Sequence, residues 1–510
     1  MENIFEVRRI FLSIELMKKN INRAQEEIDK KREAVSKGAM RQKYHFMAEV
    51  GWLNDPNGLI FFKGKYHFFY QYNPYDSYWG SMHWGHAISD NMLHWEYLPL
   101  ALAPSEDYDN HPKGGCFSGS AIEHEGRLYL LYTASTNYGD GFVQNQCMAY
   151  SDDGINFIKS EKNPVIAAPP NGYDIGEFRD PKVWKHGDFF YLVCSGKKNN
   201  LGQALLYRSK NLEDWEFFNV LAESRGEFGY MWECPDFFPL ENADGEKYVL
   251  TFSPMGVKER TSIYLVGDMN YETGKFNYTT VGNIDWGFDY YAPQSFVDQT
   301  GRRILVAWAN GWDWMPWWKD WGPTFKEGWC GSFNLPREAI LDTDNTLKFV
   351  PVEELKSIRK SAESIHEKAI LEEGELLIPT ANGNCFELKM TIDLVNSTAN
   401  FFELRMRSND HLATIAIFNL REQILTVSRD NSDDWSQGTT KSNLLLKDNE
   451  TLKIHLFVDQ SSIEIFTDDY KTNHSLNVFA KDDQNKNYIS VAEGTLVIDQ
   501  LDTWELTKTM

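Results

Sequence analysis

The sequence predicts an all-β chain, a five-bladed β-propeller followed by a C-terminal β-sandwich, with a short N-terminal helical extension. Three observations carry that prediction. First, five glycine turns lead into strands of alternating aromatic and aliphatic residues: Gly64 (GKYHFFYQY), Gly126 (GRLYLLYTA), Gly187 (GDFFYLVCS), Gly245 (GEKYVLTFS) and Gly301 (GRRILVAWA). They are 62, 61, 58 and 56 residues apart, a period that several short strands per unit make the signature of propeller blades. Second, SDNMLHWEYLPL (89–100), SDDGINFIKS (151–160) and SKNLEDWEFFNVL (209–221) echo one another. Their Asp, Asn and Gly supply a hairpin turn between the third and fourth strands of a blade. Third, from about residue 370 the pattern becomes short alternating strands, among them CFELKMTIDL, NFFELRMRS, LATIAIFNL and LKIHLFVDQ, at spacings typical of a sandwich.

The expected order is therefore a helical extension over 1–41, the propeller over 42–350, a linker helix over 351–369 and the sandwich over 370–510. In the extension Ile10, Ile14, Met17, Ile21, Ala24 and Ile28 form a helical stripe. Such a stripe docks on the protein's own body or on a second copy, which leaves a homo-oligomer open. The segment VEELKSIRKSAESIHEK (352–368) reads as the linker helix because it is charged and rich in helix formers.

Bulk composition narrows the function. A net charge of −23 argues against nucleic acid and against anionic membrane surfaces. No run of about 18 apolar residues suggests a membrane span. The first residues lack a signal peptide, since Arg8, Arg9 and Glu15 interrupt the apolar stretch. The six cysteines include no CxxC pair, which fits free thiols in a reducing cytoplasm. His83 and His86 have HxxH spacing, but on a strand they face opposite ways, so no shared metal is expected. The 17 Trp suit core packing and also stacking on sugar rings.

Three of the five repeats carry an acid upstream of the glycine: Asp55 in WLNDPNG, Asp180 in FRDP and Glu233 in ECPD, at 9, 7 and 12 residues. Equivalent positions of a propeller converge on one axis, so the three carboxyl groups are expected in one pocket. The same blade position holds Ser118 and Gln294 in the other two repeats, which gives a polar ring where a core would be apolar. Each acid also has a structural alternative. Asp55 could cap its own Asp-Pro-Asn-Gly turn, Asp180 could pair with Arg179, and Glu233 could be satisfied by backbone amides. In the functional reading Asp180 stays ionised and holds substrate hydroxyls. Aromatic and sulfur neighbours are expected to desolvate Glu233, as a general acid needs. The Trp-rich run AWANGWDWMPWWKDWGP (307–323) is either packing or a wall of sugar-stacking aromatics.

Together, WLNDPNG, WGSMHWGHA, FSGSA, FRDPKVW, ECPDFFPL, DYYAPQSF and GWCGSFNLPRE make the chain resemble glycoside hydrolase family 32, the invertases and fructanases. The resemblance covers roughly residues 42–510 and implies the same propeller and sandwich. It implies that Asp55 is the nucleophile attacking C2 of a terminal β-D-fructofuranosyl unit, Glu233 the acid/base and Asp180 the transition-state stabiliser. A retaining mechanism would follow, with the reacting carboxyl groups about 5–5.5 Å apart. By the same matching Asn54, Gln71, Trp79, Phe117, Ser118, Arg179, Asp289 and Trp308 look like fructose-binding positions, and no metal or organic cofactor is implied. The chain looks most like cytoplasmic bacterial members, which hydrolyse sucrose, sucrose 6-phosphate or short fructo-oligosaccharides. Fructosyl transfer at the same site, and a non-catalytic sugar-binding propeller, are the alternatives. Lys197, Lys198, Lys319 and Lys326 are candidates for recognising a phosphate at the pocket mouth.

Overall fold

In the computed structural model the described residues are 2–509, apart from 138, 140, 259–260, 316–321, 366–367, 380–382 and 447–449. Lys319 and part of the Trp-rich run therefore lie outside them. Beyond its N-terminal helix, Glu2–Val35, the described chain is mostly strand, with one short α-helix, Gly322–Glu327, and two short 3₁₀ helices. No described helix is long and apolar enough to cross a membrane.

Each predicted glycine turn joins the first and second strands of its own sheet. The first sheet runs Gly51–Phe62, Lys65–Asn73, His83–Ser89 and Trp95–Leu102, with Trp329–Cys330 added in parallel beside Gly51. The second is Gly115–His124, Arg127–Asn137, Phe142–Ser151 and Ile158–Lys159. The third is Phe178–His186, Phe189–Lys198, Leu201–Ser209 and Glu216–Glu223, and the fourth Met231–Asn242, Gly245–Met255, Ile263–Asn270 and Lys275–Asn283. The fifth is Tyr291–Val297, Arg303–Trp308, Arg337–Leu341 and Leu347–Pro351. The echoed SD/SK segments are the turns between third and fourth strands of the first three sheets, where Asn91, Asp153 and Asn211 accept backbone N–H groups. The first strand of each sheet touches the first strand of the next, and that of the fifth touches that of the first.

Residues beyond the fifth sheet form two antiparallel sheets facing one another. One contains Leu496–Leu506, Phe386–Asp393 and Thr451–Asp459; the other contains Lys486–Val491, Phe401–Ser408 and Thr414–Asn419. Leu388, Leu404, Phe418, Leu456 and Ile489 from both sheets fill one buried core, the alternating inward residues of each strand.

The linker helix expected at 351–369 is not formed. Glu353–Ile358 is a short 3₁₀ helix and Arg359–Ile365 is a strand paired with Leu496–Leu506. Arg359 donates to both Glu387 oxygens and lies over the Trp504 ring at 3.8 Å. Sheet pairing overrides the helix propensity of Lys, Glu and Ala, and a charged edge strand discourages edge-to-edge association.

The N-terminal helix packs on its own body. Met17, Ala24, Ile28 and Val35 are buried, and the last three join the core cluster of the first sheet. Asn20 Nδ2 donates to the Pro104 carbonyl and Lys31 Nζ to that of Tyr75, both at 2.7 Å.

Where the two regions meet, a network of buried charges lies beside apolar contacts of Phe457, Phe466 and Leu506. His45 Nδ1 lies 2.8 Å from Asp459 and Nε2 3.0 Å from Glu464. Arg337 bridges Asp285 and Glu464. The two carboxylates raise His45 to about 9 against the opposing effect of burial, so it is a cation at neutral pH.

Candidate active site

All five first strands break register at the same place. Two residues face one on the second strand between Leu53 and Pro56, Cys116 and Gly119, Arg179 and Lys182, Glu233 and Asp236, and Tyr291 and Gln294. Such bulges re-aim side chains and are favoured next to active sites. Three are strained: Asp180, Cys234 and Ala292 have φ of 64°, 50° and 53°, each directly before a proline. That conformation is uncommon for a non-glycine residue. The bulges bring side chains of neighbouring first strands to one place.

There a cavity of about 250 Å³ is lined by Asn54, Asp55, Gln71, Trp79, Phe117, Ser118, Arg179, Asp180 and Glu233. Phe142, Gln144, Gly176, Glu177, Met255 and Trp312 complete the wall. The three acids thus meet in one cavity, 178 residues of chain separating Asp55 from Glu233.

The carboxylate of Asp55 is held by one oxygen. Ser118 Oγ donates to Oδ2 at 2.6 Å and the Cys234 thiol lies 3.4 Å from the same atom. Burial pushes that thiol up, so it stays protonated and can donate. Oδ1 has no hydrogen-bond partner among the described residues. Burial, with the nearby Glu233 charge, raises Asp55 to about 6, and the Ser118 hydrogen bond opposes the rise.

Asp180 is oriented from two neighbouring strands. Its N–H donates to Thr133 Oγ1 at 2.9 Å, and its Oδ2 accepts the Cys234 N–H at 2.9 Å. Burial raises its carboxyl group, and the guanidinium of Arg179 opposes that. The Arg179–Asp180 pair is loose, 3.9 Å at its nearest.

Glu233 is not in the apolar surroundings its sequence neighbours suggest. Arg179 donates to its Oε1 from Nε at 3.1 Å and from Nη2 at 3.0 Å, and the Tyr291 hydroxyl donates to Oε2. The aromatic and sulfur neighbours point elsewhere: Trp232 stacks on Phe252 in the core, and Cys234 lies toward Asp55.

Of the binding positions expected from the sequence, Asn54, Gln71, Trp79, Phe117, Ser118 and Arg179 line the cavity. Gln71 Nε2 holds the Cys116 carbonyl at 2.8 Å and Trp84 Nε1 holds that of Phe117 at 2.9 Å, which fixes the second bulge. Asp289 and Trp308 are corrections, since neither lines the cavity. Asp289 is buried between the two regions, paired with Arg429 at 2.7 Å and accepting the Asn477 N–H at 2.7 Å. Trp308 is fully buried, packed against Trp52, Tyr291 and Trp312. Gln294 lies past its bulge and donates to the Cys234 carbonyl at 3.1 Å. Among the described residues of the Trp-rich run, Trp312 lines the cavity, stacked on Trp52 at 6.1 Å. Sequence reasoning missed Gln144 and Tyr291, and it named the Trp-rich run without singling out Trp312. Tyr291 had a signal: aligning on proline rather than glycine puts Arg179 (RDP), Glu233 (ECP) and Tyr291 (YAP) in one column. Those three side chains are hydrogen-bonded together. His83 bonds the Ser81 carbonyl and His86 bonds His67.

Carboxylates brought together from separate strands beside aromatic and amide side chains are the equipment of a glycoside hydrolase. The chain belongs to family 32 of the glycosyl hydrolases, the family's N-terminal domain matching residues 45–351 and its C-terminal domain residues 354–505. A sucrose-6-phosphate hydrolase of Escherichia coli is 35% identical over 91% of this chain and 94% of its own. A raffinose invertase of the same organism is 35% identical over the same shares, 91% and 94%. A GH32 beta-fructofuranosidase of Bombyx mori, solved in complex with sucrose, is 30% identical with a TM-score of 0.80, covering 96% of this chain and 98% of that one.

Proposed function

We propose that the protein is a retaining β-fructofuranosidase, releasing terminal non-reducing β-D-fructofuranosyl units from sucrose, sucrose 6-phosphate or short fructo-oligosaccharides. One observation carries the mechanism: Asp55 is anchored through Oδ2 by Ser118, while Oδ1 has no hydrogen-bond partner of good geometry among the described residues. A nucleophile needs that asymmetry, one oxygen held and the other free to attack C2. Glu233 gives its proton to the glycosidic oxygen as the C2–O bond breaks, and the leaving sugar departs as an alcohol. It then takes a proton from the water that hydrolyses the fructosyl–Asp55 ester. Asp180, held by the Cys234 N–H, accepts hydrogen bonds from fructose hydroxyls that strengthen as charge develops at C2. Asn54, Gln71, Trp79, Phe117, Ser118 and Arg179 form the fructose end.

The ring of five sheets supports reading residues 42–350 as a five-bladed propeller with the site at one end of its axis. The buried interface supports a structural role for the sandwich. Substrates named for the two Escherichia coli relatives differ in whether the leaving sugar carries a phosphate. The deciding experiment gives the purified protein sucrose, sucrose 6-phosphate and 1-kestose and measures kcat/KM for fructose release. Fructose from any of them, with the β configuration kept in the first product, supports the proposal. No release, or inversion, overturns it.

A further inference from the structure

We propose that Glu177 is a positioning residue for the acid step, acting on Glu233 through Arg179; this rests on the acid/base reading above. A general acid must arrive protonated, and a guanidinium beside it favours the ionised form. Arg179 makes two hydrogen bonds to Glu233 Oε1, and taken alone that contact works against acid catalysis. Arg179 is not alone. Its Nη1 donates to Glu177 Oε2 at 2.5 Å, the shortest of its contacts. The other oxygen of Glu177 is 3.3 Å from Lys197 Nζ, which also lies 3.0 Å from Asp174. The result is a row of alternating charges, Asp174, Lys197, Glu177, Arg179 and Glu233, running from the surface into the cavity. Its inner members are partly withdrawn from water, with side chains 24%, 11% and 15% exposed for Glu177, Arg179 and Glu233. Screening there is weaker than at an open surface.

Glu177 does two things in this row. Its charge takes a share of the Arg179 cation, so less of it falls on Glu233. Its hydrogen bond also pins Nη1, which fixes the guanidinium plane and directs the Nε and Nη2 edge at a single oxygen of Glu233. The remaining partners of Arg179 cannot replace it. Gln144 Oε1 is 3.5 Å from Nη1 and already accepts the Phe178 N–H, and Asp180 is at 3.9 Å. Without Glu177 the full cation falls on Glu233 and Asp180, and proton transfer to the leaving oxygen becomes harder. The chemical balance of the step is unchanged: the proton leaves Glu233 for the glycosidic oxygen, the C2–O bond breaks, and the C2–O bond to Asp55 forms.

Acid assistance matters in proportion to the basicity of the leaving group. The test compares Glu177→Gln with the parent on sucrose and on 4-nitrophenyl β-D-fructofuranoside, whose phenolate leaves with little help. The expected result is a loss of kcat on sucrose about tenfold greater than on the aryl fructoside. Glu177→Asp should recover part of that difference. Equal losses on both substrates, or no loss, overturn the inference, and a change confined to KM does so too. Thermal unfolding of each variant separates a folding defect from these outcomes. If the parent cleaves neither substrate, the functional reading fails and not the role of Glu177 within it.

Discussion

Replacing Ser118 by Ala should move the acid limb of activity upward, and the structure supplies the size. Ser118 Oγ donates at 2.6 Å to Asp55 Oδ2, an oxygen that the Cys234 thiol also approaches, at 3.4 Å. A hydrogen bond to a charged group contributes about 1.5–3 kcal/mol, and about 1.4 kcal/mol corresponds to one pKa unit. The bond is made to the ionised carboxylate, so its loss destabilises that form and raises the pKa. Asp55, already raised to about 6 by burial, should rise to about 7–8 in the variant. The nucleophile must be ionised, so near pH 6 kcat/KM should fall about 5- to 50-fold relative to the parent. The ratio should climb back toward parity above about pH 9, where Asp55 ionises in both proteins. The assay is kcat/KM for sucrose from pH 4.5 to 9.5, whose acid limb reports the free enzyme's carboxylates as an interacting set that includes Asp180. Ser118 is also a fructose-binding candidate, but a lost sugar contact lowers activity by one factor at every pH. A ratio that does not change with pH would therefore refute the argument. Cys234→Ala, removing a weaker and longer donor, should shift the limb in the same direction by less.

Three further outcomes follow from the same geometry. Asp55→Asn should lower kcat by roughly four orders of magnitude or more while sucrose still binds, which turnover assays and calorimetry check separately. Glu233→Ala should slow sucrose far more than an aryl fructoside, and equal slowing would argue against its acid role. The His45 network predicts alkaline destabilisation. Its folded value of about 9 lies above the usual 6.5, so its contribution is fully present below about pH 6.5 and is lost as pH rises through about 9. That contribution is of the order of 3 kcal/mol; urea unfolding at pH 7 and pH 10 should show the loss in the parent and not in His45→Gln.

Much of this was legible in the sequence because it resides in turns. Gly64, Gly126, Gly187 and Gly301 all adopt positive φ, between 56° and 90°, and a turn that needs such a backbone selects glycine in every repeat. The SD/SK turns repeat for the same local reason. The linker was misread because helix propensity is a local quantity and strand pairing is not: nothing within 352–368 reveals that Leu496–Leu506 lies beside it. Asp289 and Trp308 failed differently. They stand in cavity-like sequence contexts, yet their partners, Arg429 and Trp52, come from distant parts of the chain. A motif shows which residues are present, and it does not say which face of the strand they occupy once the strand has bulged.

The acids also stand at different places in their bulges. Asp55 and Ser118 are the second residues of their bulges, Asp180 the first of its own, and Glu233 the residue just before. In a regular strand such offsets would send alternate side chains to opposite faces. A bulge gives two residues for one on the neighbouring strand, so residues one step out of phase can still meet at a single point. Each repeat thereby contributes a different group from a slightly different register: Asp55 with its anchor Ser118, Asp180 with the Cys234 N–H, and Glu233 with Arg179 and Tyr291. The repeated fold supplies five equivalent strands, and the repeated irregularity lets unlike residues from four of them share one cavity. A substitution that straightened one bulge, such as replacing Pro181 and restoring a ladder N–H, would then misplace two functional side chains at once. Its cost should appear in kcat before it appears in unfolding.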